Sequence, residues 1–140
     1  MTVAIDTSVV IAALLSWHED HDRAASWLSR HLRKLVLPQP VLVESYSVMT
    51  RLPSPHRIGP EDAYSLLESN LREVPLVGLP SSSAWTFVRT ESHAGTAGGS
   101  VYDALVIECA VRAGAAAIGT LNARDFVRLA GDRIAVIDPT

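Results

Sequence analysis

Four places in the chain put an acidic or amide side chain where the surroundings are otherwise apolar. Asp6 closes the run "VAI" and is followed directly by Thr7 and Ser8. Glu44 stands in "PVLVESYSVM", Asp103 in "SVYDALVIECA", and Asn122 with Asp125 in "GTLNARDF". Each has an ordinary explanation. Asp6 or Thr7 can cap a following helix. Glu44, read into a first helical turn, complements the positive helix end or points to solvent. Ser100 with Asp103 reads as a capping arrangement, and Asn122 with Asp125 as a cap and a first-turn acid. All of these together require unrelated caps to fall where one rim of a sheet would gather them. Gathered carboxylates raise one another's pKa unless a cation sits among them. Mg²⁺ is hard, prefers oxygen, and is held by one or two carboxylates plus water and phosphate oxygens. Mn²⁺ suits the same ligands. The chemistry such a site supports is phosphodiester hydrolysis, with the cation activating water and offsetting phosphate charge. The cation also inverts the local sign, so an acidic protein can bind an acidic polymer.

The elements needed to position these residues follow from hydrophobic patterning. Residues 2–5, 34–38, 115–120 and 133–138 read as short strands, and 73–79 as an extended edge strand because of Pro75. Helices are expected over 8–15, 18–32, 41–52 with Pro40 in its first turn, 58–71, 81–93 with a serine cap available, 101–114 with Gly114 as C-cap, and 123–130. "AGTAGGS" (94–100) reads as a mobile loop near Asp103, able to close over substrate or accept a partner's tail. It lacks the lysine and the preceding strand of a P-loop. Short apolar strands alternating with helices imply an α/β fold, a parallel sheet with helices on both faces. Sites in such sheets lie beyond the carboxyl ends of the strands. Asp6 follows the first strand, and Asn122 and Asp125 follow 115–120.

Composition narrows the remaining classes. With 140 residues, 48% hydrophobic and 19% charged, the chain suits one packed domain over 1–140 rather than disorder. A net charge of −3 is not that of a basic nucleic-acid-binding domain. The single cysteine, Cys109, excludes an internal disulfide and a cysteine zinc cluster, and reads as a buried structural thiol. No basic leader and no apolar run of ~20 residues is present, so a cytoplasmic protein without a membrane span is expected. Glu108 should pair with Arg112 one turn on. His18 and His21 read as exposed residues at a helix start rather than zinc ligands.

The four segments in this order resemble PIN-domain ribonucleases. "AIDTSVVIAAL" resembles their opening strand and Asp, "VLVESYSVMTRL" their helical Glu, "VYDALVIECA" their Asp-Ala helix, and "GTLNARDF" their fourth motif. The resemblance runs over essentially the whole chain, and its size and layout look most like VapC toxins of bacterial toxin–antitoxin pairs. It implies a three-layer α/β/α fold and a Mg²⁺- or Mn²⁺-dependent endoribonuclease acting on structured RNA, tRNA or rRNA. It also implies a VapB-like antitoxin and a homodimer. On the matching positions Asp6, Glu44 and Asp103 would hold the metal, and Thr7 or Ser8 would orient Asp6 or a water. The fourth motif departs from the family: the usual Asp position is Asn122, with Asp125 three further on. Asn122 can supply an oxygen, and Asp125 can act directly or through water, so the number of metals stays open.

An RNA path also needs cations. Arg51, two turns beyond Glu44 on about the same helical face, and Arg124, beside the fourth motif, are the best placed. Tyr46, Met49, Leu52, Tyr64, Leu67 and Leu71 suggest a groove for an antitoxin helix or a dimer seam. Two other readings fit the same residues: a PIN-like RNA-processing nuclease without antitoxin, and a catalytically silent domain that only binds a partner. A phosphoacceptor receiver domain is set aside, because Lys34 is the only lysine and lies early.

Overall fold

A computed structural model describes residues 1–140. Five strands, β1 (Val3–Ile5), β2 (Leu35–Pro38), β3 (Leu76–Val77), β4 (Ala117–Gly119) and β5 (Ala135–Ile137), form one sheet in the order β3-β2-β1-β4-β5. Every pairing is parallel, as the alternation of strands and helices predicts. The helices are α1 (Thr7–Leu14), α2 (His21–His31), α3 (Gln39–Arg51), α4 (Pro60–Leu71), α5 (Ala84–Ala94), α6 (Ser100–Arg112) and α7 (Ala123–Ala130).

The chain steps outward one way from β1 through β2 to β3, then returns and steps the other way from β4 to β5. With right-handed crossovers, that reversal sends the two sets of helices to opposite faces. It also opens a crevice between β1 and β4, where the strand order changes direction. β1 is the central strand and is wholly buried. α1 is apolar almost all round, so it packs beneath other helices, against α2 and α3, rather than at the surface. α6 buries an apolar stripe, Ala104, Val106, Ile107, Cys109 and Ala110, and packs on α7. Cys109 is buried within it, as expected.

Gly119 sets how closely α2 approaches the sheet. A Cβ there would lie 2.6 Å from the Trp27 ring, so only glycine lets the indole rest on β4. Pro75 works as the composition suggests: it has no N–H to give, but its carbonyl accepts from Leu37 N at 2.8 Å, and β3 is an edge strand of two residues.

Several boundaries differ from the sequence reading. The helix expected over 18–32 starts at His21, because residues 15–20 fold into turns, with Asp20 N donating to His18 Nδ1 at 3.1 Å. Ser81–Ser83 form a turn of 3₁₀ helix before α5, and no serine side chain caps it. Gly114, at φ +75°, follows the end of α6, whose C-cap is Ala113. Gly95, at φ +78°, ends α5, so "AGTAGGS" begins as a helix stop. Glu108 pairs with Arg112 at 2.8 Å as expected, and with Arg133 at 2.6 Å as well.

Candidate active site

Asp6 emerges at the carboxyl end of β1, and its backbone N–H still bonds to Gly119 O of β4 at 3.0 Å. Its carboxylate is 4% exposed. Two hydroxyls donate to the same oxygen, Oδ2: Ser8 Oγ at 2.9 Å and Thr120 Oγ1 at 3.0 Å. Each hydroxyl in turn accepts a backbone N–H from the segment after β4, Leu121 N on Ser8 at 2.9 Å and Asn122 N on Thr120 at 3.0 Å. Asp6 thus ties the ends of β1 and β4 together through Oδ2, and neither hydroxyl uses Oδ1. The bland reading of Asp6 does not hold in full. It occupies the N-cap position of α1 but makes no side-chain capping bond.

Of the two hydroxyls after Asp6, Ser8 orients it. Thr7, named from the sequence as a catalytic candidate, lines the cleft but has a buried Oγ1 with no partner. Thr120, which the sequence reading used only as a marker for the fourth motif, is the second residue that holds Asp6. A hydroxyl residue directly after the apolar run 115–119, two residues before Asn122, was the available signal.

The cleft at the β1–β4 crevice has a volume of about 440 Å³. Asp6, Glu44, Asp103 and Asn122 line it together with His18 and Asp20. Glu44 is the sixth residue of α3, past its first turn, because the helix begins at Gln39. Compensation of the helix end therefore does not account for it. Ser100 is the first residue of α6 and Gly99 its N-cap, with no side-chain cap, so the expected Ser100–Asp103 capping arrangement is absent. Asp103 is half-buried and faces the other acids instead. Asn122 is the N-cap residue of α7, again without a side-chain cap.

Asp125 is 59% exposed, lies outside the cleft lining, and approaches Arg128 at 3.9 Å. Arg51 and Arg124 are exposed and also lie outside that lining. Asp20, missed from the sequence, bonds to Arg23 at 3.0 Å. His18 and His21 are half-buried rather than exposed. His18 reaches the cleft, and His21 Nδ1 meets Ala12 O at 2.9 Å.

The electrostatics show that these acids sense one another. Burial pushes Asp6 up from the ordinary carboxylate range, against the opposing pull of Ser8, Thr120 and the amides of Thr7 and Ser8. Asp103 rises to about 6, first through burial and then through the charges of Asp6, Glu44 and Asp125, with Arg128 pulling the other way. Such a set, all hard oxygen donors, carries more negative charge than its surroundings neutralise. The residues fit a divalent cation by donor chemistry. They are not drawn into a ready-made group of three ligands.

A second concavity of about 630 Å³ is apolar and lies between α3, α4 and the β3 edge. Leu42, Tyr46, Tyr64, Leu67 and Leu71 line it. Met49 and Leu52, expected there too, belong to the core and its margin instead. No helix is long and apolar enough to cross a membrane.

Comparison with known proteins agrees with the geometry. The PIN domain family model matches residues 3–132. Ribonuclease VapC40 of Mycobacterium tuberculosis is 36% identical over 113 residues, 81% of each chain. The chain belongs to the VapC family of PIN-domain ribonucleases. Ribonuclease VapC27 of the same organism is 38% identical over 104 residues, covering 74% of this chain and 73% of that one. Among solved structures, DNA-bound VapBC from Salmonella typhimurium superposes with a TM-score of 0.72 at 16% identity, over 100% of this VapC chain and 99% of that one. VapC20 of Mycobacterium tuberculosis, a sarcin–ricin loop cleaving toxin, gives 0.68 at 16% identity over 84% and 87%. At such identities these two speak for the fold alone. The three-layer PIN architecture expected from the sequence is the one found.

Proposed function

We propose that this VapC-family chain is a Mg²⁺- or Mn²⁺-dependent endoribonuclease, the toxin of a toxin–antitoxin pair, that cuts structured RNA of the tRNA or rRNA class. The observation that carries the reading is the gathering of Asp6, Glu44 and Asp103 in one cleft, where burial first and then the neighbouring carboxylates raise Asp103 to about 6. Asp6, Glu44 and Asp103 would hold the cation, with Asn122 supplying an amide oxygen at the rim and Asp125 acting from outside through its charge or a water. A cation held there would offset phosphate charge and make water a competent nucleophile. Ser8 and Thr120 keep the Asp6 carboxylate turned and ionisable by donating to Oδ2. Thr7 shapes the wall beside it. Arg51 and Arg124 would meet flanking phosphates.

The apolar groove favours an amphipathic helix of a VapB-like antitoxin as its occupant. That the similar structures include a VapBC complex supports such a partner. A homodimer in the cytoplasm completes the proposal.

The deciding experiment treats total cellular RNA with purified protein and with Asp6→Asn, in Mg²⁺, in Mn²⁺ and in chelator. Discrete cleavage that needs both the cation and Asp6 is expected. Identical patterns in every lane, from folded protein free of antitoxin, would reduce the chain to a partner-binding domain on a nuclease fold.

A further inference from the structure

The cleft has one aromatic neighbour that the carboxylate chemistry does not use. Trp17 lies in the turns between α1 and α2 and is 45% exposed. Its ring stacks on His56 with centroids 4.1 Å apart and planes 26° from parallel. His56 comes from a different part of the chain, the turn after α3. Trp17 also lies 5.9 Å from the tilted ring of its chain neighbour His18, which lines the cleft with Asp6, Glu44 and Asp103. The stacked pair therefore stands next to the acids, one residue from the cleft wall.

Both backbones that carry this pair are pinned. His18 N bonds to Leu15 O at 3.1 Å, His21 N to His18 O at 3.0 Å, and the His18 ring accepts from Asp20 N. Opposite, His56 N bonds to Pro53 O at 2.9 Å, Ile58 N to Met49 O at 3.1 Å, and Arg57 Nε to Leu52 O at 2.9 Å. The pair thus joins two hydrogen-bonded turns, with Trp17 nearly half open to solvent. Its charge setting matters as well. The chain is acidic overall, and the cleft gathers carboxylates, so an RNA strand gains little from the protein's own charge there. Stacking of a base on an aromatic face holds nucleic acid without charge and with little dependence on sequence.

We propose that the stacked Trp17–His56 pair, joined to the cleft through His18, is a platform for one unpaired base of the nucleotide next to the phosphate being cut. The inference rests on the ribonuclease reading and adds a requirement to it: the strand entering the cleft is single-stranded or splayed at that nucleotide. Arg51 and Arg57 flank the same turn and suit the adjoining phosphates.

The test measures binding rather than cleavage, so its failure is separable from failure of the nuclease reading. Asp6→Asn protein carrying Trp85→Phe leaves Trp17 as the exposed indole, since Trp27 is buried. It is titrated in Mg²⁺ with octaadenylate and with an octamer of abasic ribose phosphates. The expected result is quenching of Trp17 fluorescence by octaadenylate but not by the abasic octamer. Trp17→Ala should weaken octaadenylate binding by roughly 5- to 160-fold, the range for losing one stacked base. Binding of the abasic octamer should be unchanged. Trp17→Phe should recover most of the loss, which separates stacking from a folding defect. Equal affinity of the parent for the two octamers would overturn the platform. So would undiminished octaadenylate binding by Trp17→Ala. Either of these, beside Asp6-dependent cleavage of cellular RNA by the wild type, leaves the nuclease standing without its platform.

Discussion

Replacing Asp103 by asparagine should stabilise the protein while abolishing its activity. The folded state raises Asp103 from 3.8 to about 6, through burial and through Asp6, Glu44 and Asp125. Taken at face value, a shift of that size is worth about 3 kcal/mol. The carboxylate is only half-buried, so solvent screening reduces the figure to about 1 kcal/mol. The sign follows from proton linkage. A raised carboxylate binds its proton more tightly when folded, so stability falls as pH rises from about 4 to 6 and stays lowered above that. Asp103→Asn carries no charge to repel. Its advantage should be absent near pH 4, grow through pH 4 to 6, and persist at pH 7.5 as a gain of about 3 °C in melting temperature. Thermal unfolding in chelator at pH 4, 5, 6 and 7.5 reads this directly, with RNA cleavage measured on the same samples. Asparagine that is less stable than aspartate at pH 7.5, or a gain independent of pH, would refute the idea that these acids repel across a shared cleft.

Three other perturbations follow from the same geometry. Thr120→Val removes a buried donor to Asp6 and a buried acceptor for Asn122 N, and should cost about 1–3 kcal/mol in urea unfolding. Cleavage at neutral pH should fall as well, because Asp6 becomes harder to ionise. Gly119→Ala drives a methyl to 2.6 Å from the Trp27 ring and should destabilise by about 1–3 kcal/mol, visible as a red-shifted Trp27 emission before global unfolding. Saturating Mg²⁺ at about 100 times its dissociation constant should stabilise the wild type by about 2.7 kcal/mol, an effect chelator removes and Asp6→Asn with Glu44→Gln lacks in calorimetry.

The sheet was readable because its strands are short apolar runs and because their order with helices admits few topologies. The rim that gathers the acids was readable for the same reason: Asp6 stands directly after β1, and Asn122 within three residues of the end of β4. Local bonding was not. Thr7 and Ser8 are equal as letters, and only the turn of α1 decides that Ser8 meets Asp6. Glu44 and Ser100 were assigned to caps because each helix begins earlier, relative to that residue, than periodicity alone marks. His18 was hidden because the stretch 18–20 has helical composition yet folds as turns, which brings the imidazole to the cleft. Asp125 carries the charge expected at the fourth position, but α7 turns it outward to Arg128.

The bond from Thr120 to Asp6 spans 114 positions of the chain. A ribosome making this protein therefore releases the first carboxylate long before the residue that fixes it exists. Until β4 slots in beside β1, Asp6 has no brace, the crevice has no second wall, and the acids have no common rim. A chain that stops short of residue 117 has strand β1 and its carboxylate but not the wall that faces them. The site is completed from the far side of the sheet, by the segment that β4 carries in.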